Sequence, residues 1–424
     1  MENSLFASLT LEEKLYWYHY FIWMEFSYSE DDFQQNFPLE LPSSRRRWNL
    51  IREAKDFAKN VHSIAKAQLL EHLSSEDLFL LSPSPDVSKH EYYNFEYLTR
   101  DWSNSDAHQQ RKTITEFIEN QLQSISIDPS EKALFIGCGN GRYAVDFAHR
   151  YEKVVACDKS LMMIWTTLYL KRLKTWDICH QITRNCRTVE DSIQRETVEM
   201  SEDLSRKIDE KVEFMIGDVS KINMDDCSFQ HIYSIYFTDV LPLKVLWKQI
   251  DRLLTDQGLF IHFGPLEYFF SNELEMLTAE EICDFFVDKE YTILANSFLE
   301  TPHLFMKNSM RHRFYDNWFF IAQKNQTSEV SIDTSFAVHS DSEVLKLHKM
   351  KQGESTEEWS INNGNIDYEL PEIIADILCV MDGKKSLRDL LAIQGFDELA
   401  NEQELVSVFK ELYAKRLITI RNGN

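Results

Sequence analysis

Three glycines at alternate positions form the part of the sequence best suited to holding a ligand. Gly137, Gly139 and Gly141 follow the apolar segment 133–136. Glycine allows a sharp turn and lets a ligand approach the backbone closely. A dinucleotide-binding G-x-G-x-x-G pattern would need a third glycine at Arg142, and the G-K-[ST] ending of a P-loop is absent. The G-x-G-x-G spacing favours S-adenosylmethionine, because this turn is common in methyltransferases, although a bare structural corner is the alternative.

Three aspartates follow predicted strands, where ligands bind in open α/β sheets. Asp158 lies about 20 residues beyond the glycine turn, which suits a ribose hydroxyl pair. Asp218 follows the strand 212–216 and could accept a hydrogen bond from an adenine amino group. Asp239 follows the strand 231–236 and has two interpretations: a ligand-binding carboxylate, or a cap for the helix that begins at Leu243. Together the three carboxylates predict a crevice along one edge of the sheet.

Alternating strands and helices must position these glycines and carboxylates. Short apolar runs predict strands, and helical spacing of apolar residues predicts helices over 160–173 and 243–254. The polar passage from about 174 to 210 interrupts the alternation, and we expect an insertion of helices or loop there. The pattern predicts a Rossmann-like α/β fold with a largely parallel sheet. The strands are expected at 133–136, 154–156, 212–216, 231–236, 259–263 and 318–322.

The two ends of the chain differ from this central region. Residues 1–90 are rich in aromatic residues and helical spacing, which predicts an N-terminal helical cap; a substrate lid is the alternative. Residues 326–342 are polar and predict a linker between the domain at 91–325 and the remainder. Residues 343–424 carry three predicted helices and short strands, which indicates a small winged-helix-like domain.

The composition of the chain bears on whether it binds nucleic acid and on the cellular compartment in which we expect it. The 424 residues carry a formal charge of −24, which argues against nucleic acid because phosphates would be repelled. Neither a signal-like start nor an apolar run of membrane-spanning length is present, so we expect a cytoplasmic protein that does not enter a membrane. Seven cysteines without C-x-x-C spacing argue against a disulfide framework and against a metal site.

Several segments between about 90 and 325 together resemble the carnosine N-methyltransferase family. Each segment is weak by itself, but their order and spacing are specific. They are LTRDWS (98–103), GCGNGR (137–142), HQITRNCRTVEDSI (180–193), GDV (217–219), FTD (237–239) and GPLEYFF (264–270). The resemblance implies a class I S-adenosylmethionine-dependent N-methyltransferase that acts on an imidazole nitrogen of a small molecule, dipeptide or peptide.

The resemblance also implies roles for the residues that match the family's cofactor site. Tyr97 and Arg100 would hold the methionine end of S-adenosylmethionine, although a lone arginine is more often in a surface ion pair. Asp158 would bind the ribose. The remaining cofactor residues would be Gly137 and Gly139 in the turn, with Asp218 and Val219 at the adenine.

On the acceptor side, the resemblance makes Asp239 the residue that hydrogen-bonds the imidazole. Tyr268 and Tyr315 would line the same pocket. Two residues depart from the family pattern: Phe269 replaces a histidine, and Arg313 replaces a tyrosine. Because a polar contact is lost and a cation is gained, the reaction class is expected to persist while the acceptor differs from carnosine.

The C-terminal segment resembles small peptide-recognition domains related to PqqD. The resemblance covers about 80 residues, from YELPEIIADILCVMDGKKSLRDLL to KRLITI, and contains no catalytic motif. It implies that a peptide could be presented to the methyltransferase site. A packing or homodimerisation domain is the alternative. A second overall hypothesis is a binding protein that has lost catalysis and recruits a peptide or protein partner through this segment.

Overall fold

The computed structural model divides the chain into two compact units, Met1–Asn325 and Gln326–Asn424. Each unit has its own hydrophobic core. The structure describes residues 2–27, 41–74, 76–77, 95–104, 109–125, 130–306, 308–325, 335–338, 342–351, 354–362, 367–394, 402–414 and 417–420.

A seven-stranded sheet lies at the centre of the first unit. Its strand order is β5-β2-β1-β6-β7-β9-β8, and the five strands from β5 to β7 are parallel. Strand β9 is antiparallel to both of its neighbours, β7 and β8, so β8 at the edge runs in the same direction as the five parallel strands. The strands of this unit are β1 (Ser130–Ile136), β2 (Tyr151–Asp158), β3 (Thr175–Gln181), β4 (Ile193–Glu199), β5 (Val212–Ile216), β6 (Phe229–Ile235), β7 (Leu254–Gly264), β8 (Tyr291–His303) and β9 (Arg313–Lys324).

Both faces of the central strands are covered. In β1, Ala133 and Phe135 pack into one core cluster, whereas Leu134 and Ile136 pack into another on the opposite face. Strands buried on both faces read as continuous apolar runs, which is why these short runs were visible in the sequence. The predicted Rossmann-like α/β fold is confirmed, with two further strands, β9 and β8, at one edge, of which β9 runs against the others.

Helices surround this sheet, and none of those described combines the length and the apolar character that a membrane span requires. As expected, the described part of residues 1–90 is helical. Its helices α1 and α2 pack in the same cluster as one face of the sheet. Residues 1, 28–40, 75 and 78–90 of this region lie outside the described residues. The helices of the unit are α1 (Glu2–Ser8), α2 (Leu11–Ser27), α3 (Pro42–Leu70), α4 (Phe95–Trp102), α5 (Gln110–Ser124), α6 (Arg142–Phe147), α7 (Leu161–Leu173), α8 (Glu202–Lys211), α9 (Leu243–Leu253) and α10 (Ala279–Asp288).

The insertion begins with a β-hairpin, which the prediction of helices or loop missed, and it ends with helix α8, which agrees with that prediction. Strands β3 and β4 pair antiparallel along their full lengths, and α8 follows them. The hairpin packs on α3 and α4, and Ser103 makes an isolated bridge to Val198 of β4. Five of the seven residues of β4 are polar and only Ile193 and Val198 are buried, so its apolar content was too low for it to be recognised as a strand.

The second unit combines a three-stranded antiparallel sheet with three helices. Its sheet order is β11-β12-β13, and a separate pair joins β10 to β14. The predicted linker 326–342 lies outside the described residues except for 335–338 and 342. The elements are β10 (Phe336–Val338), β11 (Glu343–Lys351), β12 (Glu354–Asn362), β13 (Asp367–Leu370), α11 (Glu372–Val380), α12 (Leu387–Gln394), α13 (Glu402–Ala414) and β14 (Ile418–Ile420). The three helices and the presence of strands in this segment agree with the sequence prediction.

A buried histidine makes the stability of the first unit depend on pH. The Tyr151 hydroxyl lies 2.8 Å from Nδ1 of His231 and 2.5 Å from the Tyr233 hydroxyl, all inside the core. Burial, and then the nearby guanidinium of Arg150, lowers the pKa of His231 to about 4. The folded protein therefore keeps this imidazole uncharged at neutral pH.

We expect the free energy of unfolding to fall as the pH falls from about 6.5 towards 4, because the unfolded chain then binds a proton at His231 that the folded chain does not. His231→Asn should flatten this dependence by up to about 1.4 kcal/mol per pH unit. Urea unfolding between pH 4.5 and 7 measures the slope. The exposed His149→Asn is the control, and equal slopes for wild type and His231→Asn would contradict the prediction.

Candidate functional site

The three glycines of the turn differ in what a side chain would meet. All three have positive φ: 58° at Gly137, 56° at Gly139 and 68° at Gly141. A Cβ atom at Gly137 would lie 2.0 Å from the ring of Phe237, and one at Gly141 would lie 2.2 Å from the ring of Phe214. At Gly139 a Cβ atom would meet no atom within 4 Å. Packing thus requires two of the glycines, whereas the third faces open space that a ligand can fill.

The carboxylate of Asp158 fixes this turn from the end of β2. Its Oδ2 accepts a hydrogen bond of 2.7 Å from the Gly139 N–H, and its Oδ1 accepts one of 2.8 Å from the Ser160 N–H. Burial raises the pKa of Asp158, while the two N–H groups act in the opposite direction. Each carboxylate oxygen can accept a second hydrogen bond, so the geometry agrees with the predicted contact to a ribose hydroxyl pair.

Asp218 stands beside Asp158, at the end of β5. The Gly217 N–H donates to the Asp158 carbonyl at 2.9 Å, which joins the ends of β5 and β2. The Asp218 Oδ1 accepts from the N–H of Ser220 at 2.9 Å and from its hydroxyl at 2.7 Å. The side chain of Val219 is buried in the core, so any contact of this residue with an adenine would come from its backbone.

Arg100 is buried on α4 and paired with its neighbour. Its Nε donates to Oδ1 of Asp101 at 2.6 Å and its Nη2 donates to Oδ2 at 3.0 Å. A surface ion pair was the alternative interpretation of Arg100 in the sequence analysis. The ion pair that it forms with Asp101 is instead buried. The guanidinium also lies 5.2 Å from the ring centre of Tyr97 and 5.9 Å from that of Tyr236. Within the described residues no hydrogen bond reaches Nη1, which leaves that nitrogen for a ligand.

Tyr236 connects the two sides of the site, and the sequence did not identify it. It has a positive φ of 59° at the end of β6, a strained position for a tyrosine. The Gln110 side chain donates to its hydroxyl at 3.1 Å and accepts from the Leu304 N–H at 3.4 Å. Its ring lies 5.6 Å from that of His303. Its place immediately before the FTD segment was the available signal.

Asp239, in the segment after β6, is the residue predicted to bind the acceptor. It is buried, with 2% of its surface exposed. Its Oδ2 accepts from the Glu267 N–H at 2.9 Å, and its carbonyl accepts from the Phe269 N–H at 3.0 Å. Burial raises the pKa of its carboxyl group, and the nearby Glu267 carboxylate adds to the rise. The helix-cap alternative was wrong, because Pro242 precedes α9 and no side chain caps that helix.

The loop that Asp239 fixes carries two residues predicted for the acceptor pocket. The Tyr268 hydroxyl donates to the Leu277 carbonyl, and this residue has a positive φ of 48°. Phe269 projects outward, with 70% of its surface exposed. The other two predicted residues are on β9: Arg313 Nη1 donates to the Tyr315 hydroxyl at 2.9 Å, and that hydroxyl donates to Glu267 at 2.7 Å.

His303 lies between the cofactor side and the acceptor side of the site, and the sequence analysis did not identify it. Its ring lies 4.6 Å from that of Tyr315. Burial, followed by the charges of Arg100 and Arg313, lowers its pKa to about 3, so the imidazole is neutral. Its Nδ1 has no hydrogen-bond partner in the described part of the chain. As a single histidine at the end of an unrecognised strand, it gave no sequence signal.

The predicted residues therefore fall into two connected groups. Gly139, Asp158 and Asp218 surround the turn, with Val219 beside them. Asp239, Tyr268, Phe269, Arg313 and Tyr315 are joined by the Glu267 loop. Gly137, through its contact with Phe237, and the Arg100–Tyr236–His303 wall link the groups. The open space at Gly139 and the acceptor capacity of Asp158 fit a nucleoside cofactor, although the individual binding roles stay predictions.

Comparison with known proteins identifies one family model, that of carnosine N-methyltransferase, which matches residues 81–326. Two solved structures show a distant likeness. A Methanosarcina mazei protein described as a SAM-dependent methyltransferase is 15% identical, with 50% of this chain and 98% of that chain covered and a TM-score of 0.33. Magnesium protoporphyrin IX methyltransferase from Synechocystis, solved with bound SAH, is 10% identical, with 54% and 93% covered and a TM-score of 0.36. None of the curated proteins compared with the chain matches it.

We expect Gly139→Val to reduce binding of S-adenosylhomocysteine by at least about 100-fold, because the branched side chain would occupy the open space and is strained at positive φ. Isothermal titration calorimetry measures the affinity, and thermal unfolding measures the stability. Gly137→Ala is the matched control: its Cβ atom meets Phe237, so we expect it to lower the unfolding temperature more than Gly139→Val does. Undiminished affinity in Gly139→Val would refute the assignment of the turn.

Proposed function

Because the chain belongs to the carnosine N-methyltransferase family, we propose that it methylates an imidazole nitrogen of a histidine-like small molecule, dipeptide or peptide. The chain is an S-adenosylmethionine-dependent methyltransferase. The choice of acceptor rests on the buried carboxylate of Asp239. Asp239 lies two residues after Phe237, whose ring packs against Gly137 of the cofactor turn.

The chemistry requires an acceptor nitrogen with an exposed lone pair. S-adenosylmethionine, when bound, supplies a methyl group on a sulfonium, and in-line transfer depends on accurate positioning of the acceptor. A neutral imidazole has one N–H and one lone pair. If the N–H donates to Asp239, the opposite nitrogen presents its lone pair, and the carboxylate stabilises the positive charge that develops on the ring.

The surroundings of Asp239 hold it in one orientation. Its Oδ2 receives the Glu267 N–H, so rotation of the carboxylate would break a buried hydrogen bond. Glu267 is itself fixed by the Tyr315 hydroxyl. A carboxylate that is already oriented needs no rearrangement when the ring charge develops. Asp239 thus serves first to orient the acceptor, and only second as a base.

The acceptor is expected to differ from carnosine because of Phe269 and Arg313. Phe269 supplies an exposed apolar ring where the family has a histidine. Arg313 stands where the family has a tyrosine, and its guanidinium donates to the Tyr315 hydroxyl. The acceptor that fits best therefore has an apolar group facing Phe269. Facing Arg313 it has a hydrogen-bond acceptor or an anionic group.

We expect Asp239→Asn to lower kcat/KM for imidazole acceptors by about 100-fold or more, since the amide retains a hydrogen-bond acceptor for Glu267 but loses the charge. S-adenosylhomocysteine affinity and the unfolding temperature should stay close to wild type. The assay is methyl transfer from labelled S-adenosylmethionine to a panel of histidine-containing dipeptides and peptides. Unchanged turnover would remove Asp239 from the mechanism, and cofactor binding without any acceptor activity would favour the binding-protein hypothesis.

For the second unit we propose a role in binding a peptide. In its three-stranded sheet, β11 and β13 are the outer strands, so each has one edge that β12 does not occupy. An outer strand can pair with an extended peptide through backbone hydrogen bonds. This supports presentation of a peptide substrate; a packing or dimerisation role is the other candidate.

A chain that ends at Asn325 tests this role. We expect it to methylate dipeptides with kcat/KM within about twofold of the full chain, whereas kcat/KM for longer histidine-containing peptides falls about tenfold, which is a typical loss when a docking contact is removed. The dipeptide rate is the internal control for folding of the first unit. An equal change for both acceptors would argue against peptide presentation, and size-exclusion chromatography of both chains reports any loss of a dimer.

A further inference from the structure

Tyr143 has an unexplained buried hydroxyl next to the cofactor turn. It is two residues beyond Gly141, on α6, and 6% of its surface is exposed. Its hydroxyl makes no hydrogen bond to any residue that the structure describes. A buried donor left unpaired is costly, and such groups in folded proteins usually have a partner. The missing partner is therefore expected to be a ligand.

The surroundings of Tyr143 indicate the chemical nature of that ligand. Arg100 interacts electrostatically with Tyr143, and its Nη1 also makes no hydrogen bond within the described residues. Burial raises the pKa of the Tyr143 hydroxyl well above its ordinary value, so the group stays protonated and can donate. Two donors, one of them charged, are thus left unused in the same enclosed region.

The carboxylate of Asp101 does not satisfy these donors. Its two side-chain oxygens already accept from Arg100 at 2.6 and 3.0 Å, and its backbone carbonyl accepts from Arg142 Nη1 at 3.4 Å. Because Asp101 neutralises Arg100, charge attraction alone would hold an anion there weakly. A further neutral donor would strengthen such a site without adding charge.

We propose that the Tyr143 hydroxyl donates a hydrogen bond to the carboxylate at the methionine end of S-adenosylmethionine, beside the Nη1 group of Arg100. The carboxylate is the part of the cofactor that can accept from both donors. Tyr143 is then a cofactor-binding residue that belongs to the glycine-turn segment, while Arg100 reaches the same group from α4. The proposal depends on the cofactor and is independent of the identity of the methyl acceptor.

The test compares two ligands in wild type and Tyr143→Phe, which removes one oxygen atom. Calorimetry should show that the Kd of S-adenosylhomocysteine rises about 10- to 100-fold, the usual effect of losing a hydrogen bond to a charged group. The Kd of 5′-methylthioadenosine, which lacks the amino-acid end, should change by less than about twofold. This difference between the ligands is specific to a carboxylate contact.

Tyr291→Phe is the matched control, because it also removes one buried tyrosine hydroxyl, one that is bonded to Asp251 at 3.1 Å. Tyr291 begins β8, whereas His303 at the site ends it, so neither ligand's Kd should change. Tyr143→Met is a second variant without the hydroxyl, and thermal unfolding checks both. An unchanged Kd for S-adenosylhomocysteine, or equal weakening of both ligands, would overturn the proposal. If the wild-type protein transfers no methyl group to imidazole acceptors while this difference between the two ligands is observed, the proposed acceptor is contradicted and the role of Tyr143 is not.

Discussion

The contact between Gly137 and the ring of Phe237 is the constraint on which the site depends. It joins the end of β1, which begins the cofactor turn, to the segment after β6, which leads to Asp239. Since a Cβ atom at Gly137 would lie 2.0 Å from that ring, only glycine allows the two strand ends to approach so closely. The spacing between the cofactor turn and the segment that carries Asp239 is thereby set by the packing of the Phe237 ring against the Gly137 backbone.

The aspartates predicted to bind ligands also hold the structure together. Asp158 fixes the glycine turn, Asp218 fixes the start of a short helical turn, and Asp239 fixes the Glu267 loop. Each does so by accepting a backbone N–H, which orients the carboxylate before any ligand arrives. Preorganisation of this kind is what electrostatic catalysis requires. It also means that alanine at any of these positions would disturb the fold and the site together, whereas asparagine separates charge from hydrogen bonding.

The sequence predicted those features that depend on local patterns. Buried parallel strands were visible as apolar runs, and Gly137, Gly139 and Gly141 were visible by their spacing. The features that it missed depend on contacts between distant segments. Asp101 lies next to Arg100 in the sequence, yet nothing local shows that their side chains pair inside the protein. Tyr236 and His303 are functional candidates only because β6 and β8 end near each other, and β8 was not recognised. The β3–β4 hairpin was missed because most residues of β4 are polar.

The amide of Gln110 unites regions that are far apart in the chain. Its two polar atoms are both used, one by the Tyr236 hydroxyl and the other by the backbone after His303. Gln110 is at the start of α5, so this one side chain clamps a helix, the end of a central strand and the loop beyond an edge strand. The segments that carry Tyr236 and His303 are thereby tied to the same helix. Moving the end of β6 away from the loop after β8 would break one of these two hydrogen bonds, so the site resists opening at this corner.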